Sequence, residues 1–168
     1  MSSFVIANPD MCIGCRTCEI ACVVAHSEKN IFSSQGEIEF TPRLKVIKTN
    51  KVTAPVQCRH CKGAPCAKAC PNNCISHNEG GVVCIDRTTC VGCKNCMIAC
   101  PFGAIDMVPV YEEDKKVLQQ KLKVQTKSDL VLKEKLVASK CDLCIGREGG
   151  PACVEKCLTK ALKLIVTP

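Results

Sequence analysis

The spacing of the cysteines constrains this chain more than any other feature of its sequence. Sixteen of its 18 cysteines fall into four groups of four, and every group ends in C-x3-C. The first group, Cys12 to Cys22, aligns without a gap on the third, Cys90 to Cys100, with seven of eleven residues identical. The second group runs from Cys58 to Cys70 and the fourth from Cys141 to Cys157, both with wider internal spacing. Such self-similarity indicates that one cysteine motif has been duplicated.

The spacing C-x2-C-x2-C-x3-C is typical of ligands to [4Fe–4S] clusters. Three thiolates at this spacing surround one cluster, and the fourth points towards a neighbouring cluster. Gly14 and Gly92 are expected to relieve crowding in these loops. Sixteen thiolates satisfy four such clusters, so the sequence predicts four [4Fe–4S] clusters. The two remaining cysteines, Cys74 and Cys84, are predicted to be small buried residues that do not bind metal.

Other uses of clustered cysteines fit this pattern less well. Structural zinc binds four thiolates from two C-x2-C pairs, so a third cysteine two residues on is surplus. A disulfide framework needs an oxidising compartment, and residues 1–12 show no pattern of a secretion signal. A single zinc ribbon stays open for the fourth group, which is the least regular: Cys141, Cys144, Cys153 and Cys157.

The formal net charge of +7 does not indicate nucleic-acid binding in such a chain. Ligating thiols are deprotonated, so four bound clusters would bring the total to about −1. No stretch reaches 18 consecutive apolar residues, and we expect no membrane span and a cytoplasmic location. Basic residues beside the predicted ligands are expected to offset cluster charge, and these are Arg16, Lys62, Lys94 and Lys140.

The histidines and the known catalytic motifs give weaker signals. His60 lies between two predicted ligands, but we expect an ordinary exposed imidazole there. The sequence has no phosphate-binding loop, dinucleotide fingerprint or nucleophile–base arrangement. We therefore predict no catalytic residue, and a chain that is not an enzyme by itself.

Short stretches rich in branched residues separate the cysteine groups and predict strands at 4–6, 44–47, 82–85 and 164–166. Pro71 and Pro101 follow the last cysteine of the two middle groups and are expected to end short helices there. Residues 25–56 and 106–140 lie outside the repeat. The charged part of the latter, 112–140, predicts a solvated helix or hairpin, with partner docking as a further hypothesis.

The order of the four groups resembles that of the four-cluster electron-transfer subunits of molybdopterin and hydrogenase complexes. The resemblance is strongest to the subunits of formate hydrogenlyase and hydrogen-dependent carbon dioxide reductase. It rests on Cys12-Ile-Gly-Cys-Arg-Thr-Cys, Pro42-Arg-Leu, Cys58-Arg-His-Cys and Lys140-Cys-Asp-Leu-Cys. It implies relay of single low-potential electrons between a formate dehydrogenase and a hydrogenase. Further copies of this chain, or a homologous four-cluster subunit, are additional candidate partners, and a freely diffusing polyferredoxin is the alternative.

The resemblance also implies an α+β fold of two nested bacterial-type (2×[4Fe–4S]) ferredoxin-like units with pseudo-twofold symmetry plus insertions. The outer unit would comprise 1–50 and 109–168, and the inner unit 51–108. Val23 and Leu158 replace the prolines of the inner groups, which leaves the helix ends there open. The implied ligand sets are Cys12, Cys15, Cys18 and Cys157 for cluster 1; Cys22, Cys141, Cys144 and Cys153 for cluster 2; Cys58, Cys61, Cys66 and Cys100 for cluster 3; and Cys70, Cys90, Cys93 and Cys96 for cluster 4.

Overall fold

The computed structural model describes residues 2–27, 40–113, 115–125 and 130–167 and shows a mixed α and β chain. Each helix carries the third cysteine of one group. The helices are α1 (Thr17–His26), α2 (Pro65–Lys68), α3 (Asn95–Ala99) and α4 (Ala152–Glu155). The strands are β1 (Ser2–Ala7), β2 (Lys45–Lys48), β3 (Thr53–Val56), β4 (Ile75–His77), β5 (Val83–Ile85), β6 (Asp106–Pro109), β7 (Tyr111–Glu112), β8 (Lys115–Lys116), β9 (Leu118–Gln125), β10 (Leu130–Glu134), β11 (Leu136–Ser139) and β12 (Leu162–Thr167).

The strands of the described residues pair only in two-stranded antiparallel sheets. The pairs are β1–β12, β2–β3, β4–β5, β6–β11, β7–β8 and β9–β10. All four strands predicted from branched residues are confirmed, as β1, β2, β5 and β12. The charged stretch after residue 111 forms the hairpin β9–β10, so the hairpin alternative holds and the helical one does not.

Proline ends the two inner helices as predicted. Helices α2 and α3 both stop before the last cysteine of their group, and Pro71 and Pro101 follow. In α1, Val23 keeps its backbone N–H, and the helix continues to His26. Helix α4 ends at Glu155 although Leu158 is not proline, so proline is not required to stop it.

Contacts between elements join the first cysteine group to the last and the second to the third. Helix α1 packs on α4, and α2 packs on α3. Strand β1 pairs with β12, with Ser2 opposite Thr167, which closes the two ends of the chain on each other. These contacts agree with the nested arrangement. However, β2–β3 and β6–β11 each join a strand of the predicted outer unit to one of the inner unit. The division into units stays a prediction.

Cysteine makes up much of the buried interior. The first apolar cluster gathers Val5, Leu44 and Leu162 around cysteines of the outer groups, together with Cys58. The second gathers Ile75, Val83, Ile105 and Val137 around cysteines of the inner groups. A chain with 3% aromatic residues therefore buries thiols where other proteins bury large side chains. No helix among the described residues is long and apolar enough to cross a membrane.

Candidate metal centres

All four cysteine groups begin with the same backbone hook. The residue before the second cysteine has a positive φ in every group: 70° at Gly14, 47° at His60, 69° at Gly92 and 59° at Leu143. Left-handed conformation is easy for glycine and costs other residues about 1–2 kcal/mol. His60 and Leu143 therefore adopt the same left-handed conformation as Gly14 and Gly92, although their residue types do not predict it.

One cavity brings together the four cysteines predicted to hold cluster 4. It is lined by Cys90, Cys93 and Cys96 of the third cysteine group and by Cys70 of the second. Gly92 forms part of the wall, and a Cβ atom built there would lie 2.2 Å from the carbonyl oxygen of Leu136. The loop can approach strand β11 this closely only with glycine at that position.

A second cavity brings together the cysteines predicted to hold cluster 1. It is lined by Cys12, Cys15 and Cys18 of the first cysteine group and by Cys157 of the fourth. In both cavities three of the four predicted ligands come from one cysteine group and the fourth from another group. Cys15 and Cys93, which hold equivalent positions in the repeat, are exposed, whereas the other cysteines are buried or half-buried.

Electrostatic interactions between thiols connect the remaining predicted ligands with one another. Burial raises the pKa of the Cys153 thiol, and Cys141, Cys144, Cys22 and Cys18 raise it further, in that order. The first three are predicted ligands of cluster 2 together with Cys153, whereas Cys18 is a predicted ligand of cluster 1. Burial also raises the pKa of Cys58, and Cys100 and Cys61 add to that rise. For Cys66 burial is again the main cause, with Cys58 and Cys100 contributing, which links the four predicted ligands of cluster 3.

Backbone N–H groups point at several of these sulfur atoms. The N–H of His60 donates to Cys58 Sγ at 3.4 Å, and that of Leu143 donates to Cys141 Sγ at 3.4 Å. The two bonds are equivalent, because both donors occupy the left-handed position of their hook. Three further N–H groups donate to sulfur: Arg43 to Cys22 at 3.3 Å, Ala104 to Cys100 at 3.4 Å and Ala138 to Cys90 at 3.5 Å. Hydrogen bonds to ligand sulfurs are a principal means by which proteins adjust iron–sulfur clusters.

The buried thiols are poorly suited to act as reactive cysteines. Burial, followed by the charge of Glu19, raises the pKa of Cys18 to about 11. Burial also raises the pKa of Cys141 to about 12. Thiols with such pKa values become thiolates at neutral pH only when a cation binds them. The donor set therefore fits iron–sulfur clusters: convergent thiols, sulfur-directed N–H groups and enclosure from water.

The two cysteines outside the predicted sets lie in different surroundings. Cys74 is buried, and its Sγ lies 3.2 Å from Cys70 Sγ on the wall of the cavity of Cys90, Cys93 and Cys96. Cys84 is half-buried and donates weakly to the carbonyl of Val82 at 3.5 Å. All 18 cysteines are present as free thiols, so the structure forms no disulfide framework.

The expectation of an exposed His60 is wrong. Its exposed fraction is 0%, and its Nδ1 accepts the N–H of Val83 at 3.0 Å. Burial, together with the charge of Lys140, lowers the pKa of His60 to about 4. His60 is therefore a neutral part of the interior that ties the second cysteine loop to strand β5. The position of His60 between two cysteines singles it out in the sequence, but the sequence does not predict its burial.

A charged network links the end of α1 to the fourth cysteine group. Asp142 forms ion pairs with His26, at 2.9 Å, and with Arg43. Burial opposes the charge on His26, but the hydrogen bonds that His26 makes to Asp142 and to Cys22, which accept them, raise its pKa to about 10. Side-chain atoms of His26, Asp142 and Cys144 lie within 4.8 Å of one another. Since Arg43 already occupies the carboxylate, the arrangement is explained by ion pairing.

Comparison with known proteins agrees with this site. The model of the 4Fe-4S dicluster domain family matches residues 49–126. That range includes the second and third cysteine groups, and with them Cys70, Cys90, Cys93 and Cys96.

Relatives in Escherichia coli strain K12 cover nearly the whole chain. The putative electron transport protein YsaA is 44% identical over 97% of this chain and 89% of its own length. The electron transport protein HydN is 43% identical over 96% of this chain and 87% of its own. Formate hydrogenlyase subunit 2 is 42% identical over 98% of this chain and 82% of its own. In the putative oxidoreductase AegA, 42% identical, the match spans only 22% of that protein. The chain therefore belongs to the family of [4Fe–4S] electron-transport proteins that includes YsaA, HydN and formate hydrogenlyase subunit 2.

Proposed function

We propose that this chain is a non-catalytic electron-transfer subunit that holds four [4Fe–4S] clusters in the cytoplasm. It would relay single low-potential electrons between catalytic partner chains, namely a formate dehydrogenase acting on formate or carbon dioxide and a hydrogenase. A [4Fe–4S] cluster supplies a one-electron couple whose potential depends on its surroundings. The protein contributes thiolate ligands, N–H donors to sulfur and exclusion of water.

The position of Cys157 is the observation that carries the cluster assignment. It lies in one cavity with Cys12, Cys15 and Cys18, although more than half the chain separates it from them. A zinc ribbon built from the fourth group alone would need Cys157 beside Cys141 and Cys144 instead. In the inner groups, Cys70 of the second group likewise lies in one cavity with Cys90, Cys93 and Cys96 of the third. This supports the proposal that each group gives one ligand to a cluster held mainly by another group.

Two surfaces suit electron exchange with partners. Cys15 and Cys93 are the exposed predicted ligands, and each is preceded within its loop by an exposed apolar residue, Ile13 or Val91. Ile98, in helix α3 shortly after Cys93, is 81% exposed. An exposed ligand brings its cluster close to the protein surface, where a partner's redox centre can approach it. We therefore assign partner docking to these two faces, at the predicted clusters 1 and 4.

The choice of partners follows from the relatives. One relative is named formate hydrogenlyase subunit 2, and HydN is named an electron transport protein. Anaerobic affinity purification from the native organism, with mass spectrometry of the captured chains, tests this part. Recovery of formate dehydrogenase and hydrogenase subunits is expected. A monomer of about 18 kDa without partners would favour a diffusing polyferredoxin.

Iron and sulfide analysis tests the cluster count directly. Anaerobically purified chain should contain about sixteen iron and sixteen sulfide per protein, since each cubane holds four of each. A Cys157→Ala variant should lose about a quarter of both. A colourless zinc-containing protein, or one with about eight iron atoms, would contradict the four-cluster proposal.

A further inference from the structure

Lys140 is a buried cation. Its exposed fraction is 4%, and its Nζ donates to the carbonyl of Cys141 at 3.0 Å and to the carbonyl of Val83. It forms no ion pair with a carboxylate among the residues that the structure describes. Burying an ammonium group is costly unless an opposite charge compensates it. The two carbonyls supply dipoles, so the compensating negative charge must come from elsewhere.

Asp142, two residues along the chain, does not fill that role. Its carboxylate is engaged by Arg43 on one oxygen and by His26 on the other. The same carboxylate also accepts the N–H of Cys144 at 3.0 Å. With its acceptors used in this way, Asp142 belongs to the network at the end of α1.

The thiols on which the charge of Lys140 acts include predicted cluster ligands and also Cys84, which is assigned to no cluster. The charge of Lys140 acts on Cys58 and Cys66, which are assigned to cluster 3, against the effect of their burial. Its acceptor Cys141 is assigned to cluster 2, and the Cys141 and Cys58 thiols themselves interact electrostatically. Lys140 therefore lies where the second and third ligand sets meet. Four thiolates outweigh a cluster's core, so each cluster there would carry a net charge of about −2.

We propose that Lys140 is the shared internal counter-ion of the second and third clusters and that its charge raises the reduction potential of both. The inference rests on the proposed function. The sign follows from charge: reduction makes a cluster more negative, and a nearby buried cation stabilises the more negative form. Solvent screens a buried charge less than an exposed one, so its effect exceeds that of the surface lysines.

Redox titration followed by EPR spectroscopy tests this role in the full chain loaded with clusters. The Lys140→Gln variant removes the charge but keeps an amide that can donate to a carbonyl. Two of the four clusters should shift to lower potential by about 59 mV, a tenfold change in the ratio of reduced to oxidised cluster for a one-electron couple. Lys62→Gln is the matched control, because Lys62 is exposed and adjoins Cys61, another predicted ligand of cluster 3. It should shift any cluster by less than a third of that amount.

The outcomes separate this inference from the proposed function. A wild-type chain without about sixteen iron atoms overturns both. A fully loaded Lys140→Gln chain with unchanged potentials, or with all four potentials shifted equally, overturns the counter-ion role alone. If the Lys140→Gln variant does not bind its clusters, the Lys140→Arg variant tests the proposal instead. Full cluster content in Lys140→Arg, which restores a cation, supports the counter-ion role. Equal loss of clusters in Lys140→Arg contradicts it, because the requirement would then be for the shape of lysine.

Discussion

The Sγ atoms of Cys70 and Cys74 lie 3.2 Å apart, and both residues line the cavity of Cys90, Cys93 and Cys96. Cys70 is the predicted ligand and Cys74 the spare. A thiol this close can reach the same iron after a small rearrangement. Five thiols therefore line a site that needs four, namely Cys70, Cys74, Cys90, Cys93 and Cys96.

We expect a Cys70→Ala variant to keep about sixteen iron atoms, because Cys74 takes over as ligand. The matched control is Cys100→Ala, since Ala104 holds the place in the third group that Cys74 holds in the second. That variant should lose about a quarter of its iron, as should the double variant Cys70→Ala/Cys74→Ala. Iron analysis and EPR spectroscopy measure the outcome. Loss of a cluster from Cys70→Ala alone would refute the substitution of one thiol by the other.

Gly92→Ala should strongly destabilise the inner half of the molecule. The new Cβ would meet the carbonyl oxygen of Leu136 at 2.2 Å, at a φ of 69°. The expected loss in free energy of unfolding is about 2–4 kcal/mol. Gly103→Ala is the control, because Gly103 has a φ of 58° but nothing within 4 Å of its Cβ position, so only the left-handed cost of about 1 kcal/mol remains. Anaerobic urea unfolding, followed by loss of cluster absorbance, compares the two. Equal losses would show that the contact with Leu136 is not limiting.

Asp142→Asn should weaken the attachment of α1 to the fourth cysteine group. The amide keeps an acceptor for the N–H of Cys144 but loses both ion pairs, with His26 and Arg43. These side chains are 17–27% exposed, so solvent screens the pairs only in part, and we expect a loss of about 1–2 kcal/mol.

The control for this variant is an exposed ion pair elsewhere. Lys45→Gln removes the pair with Asp106, whose two side chains are 56% and 39% exposed, and should cost about 0–1 kcal/mol. Anaerobic denaturation at constant pH and salt measures both. A Lys45→Gln loss as large as that of Asp142→Asn would contradict the special role of the half-buried network around Asp142.

Removing the hairpin β9–β10 should impair assembly but not cluster binding. The N–H of Lys135 donates to the carbonyl of Val117 at 2.7 Å, so a two-residue Asn-Gly turn can replace residues 118–134. The hairpin contributes no cysteine, and its Leu130 is 62% exposed. Full iron content with reduced recovery of partner chains is the expected result. Size-exclusion chromatography and iron analysis measure the two outcomes. Complexes that stay intact without the hairpin would contradict its role in docking.

The sequence predicted the repeated parts of the molecule well because periodic cysteines and proline act locally. The strands between the groups, and the ending of the two inner helices before Pro71 and Pro101, depend on a few neighbouring residues, and both were confirmed. The left-handed hooks at His60 and Leu143 were not predicted, since tertiary contacts and not residue type impose them. The burial of His60 likewise depends on strand β5, which is distant from it in sequence. The close approach of Cys74 to Cys70 was also invisible to spacing alone.

The pairing of β1 with β12 has a consequence for how the chain is made. Cys12, Cys15 and Cys18 are synthesised long before Cys157, which completes the cavity that they line together with residues next to β12. The cavity of Cys70, Cys90, Cys93 and Cys96 needs nothing beyond Ala138. We therefore expect that the inner site can take up iron during translation, whereas the outer site must wait until β12 has been synthesised. Cys12, Cys15 and Cys18 would thus be open to oxygen and stray metals for longer than the thiols of the inner site.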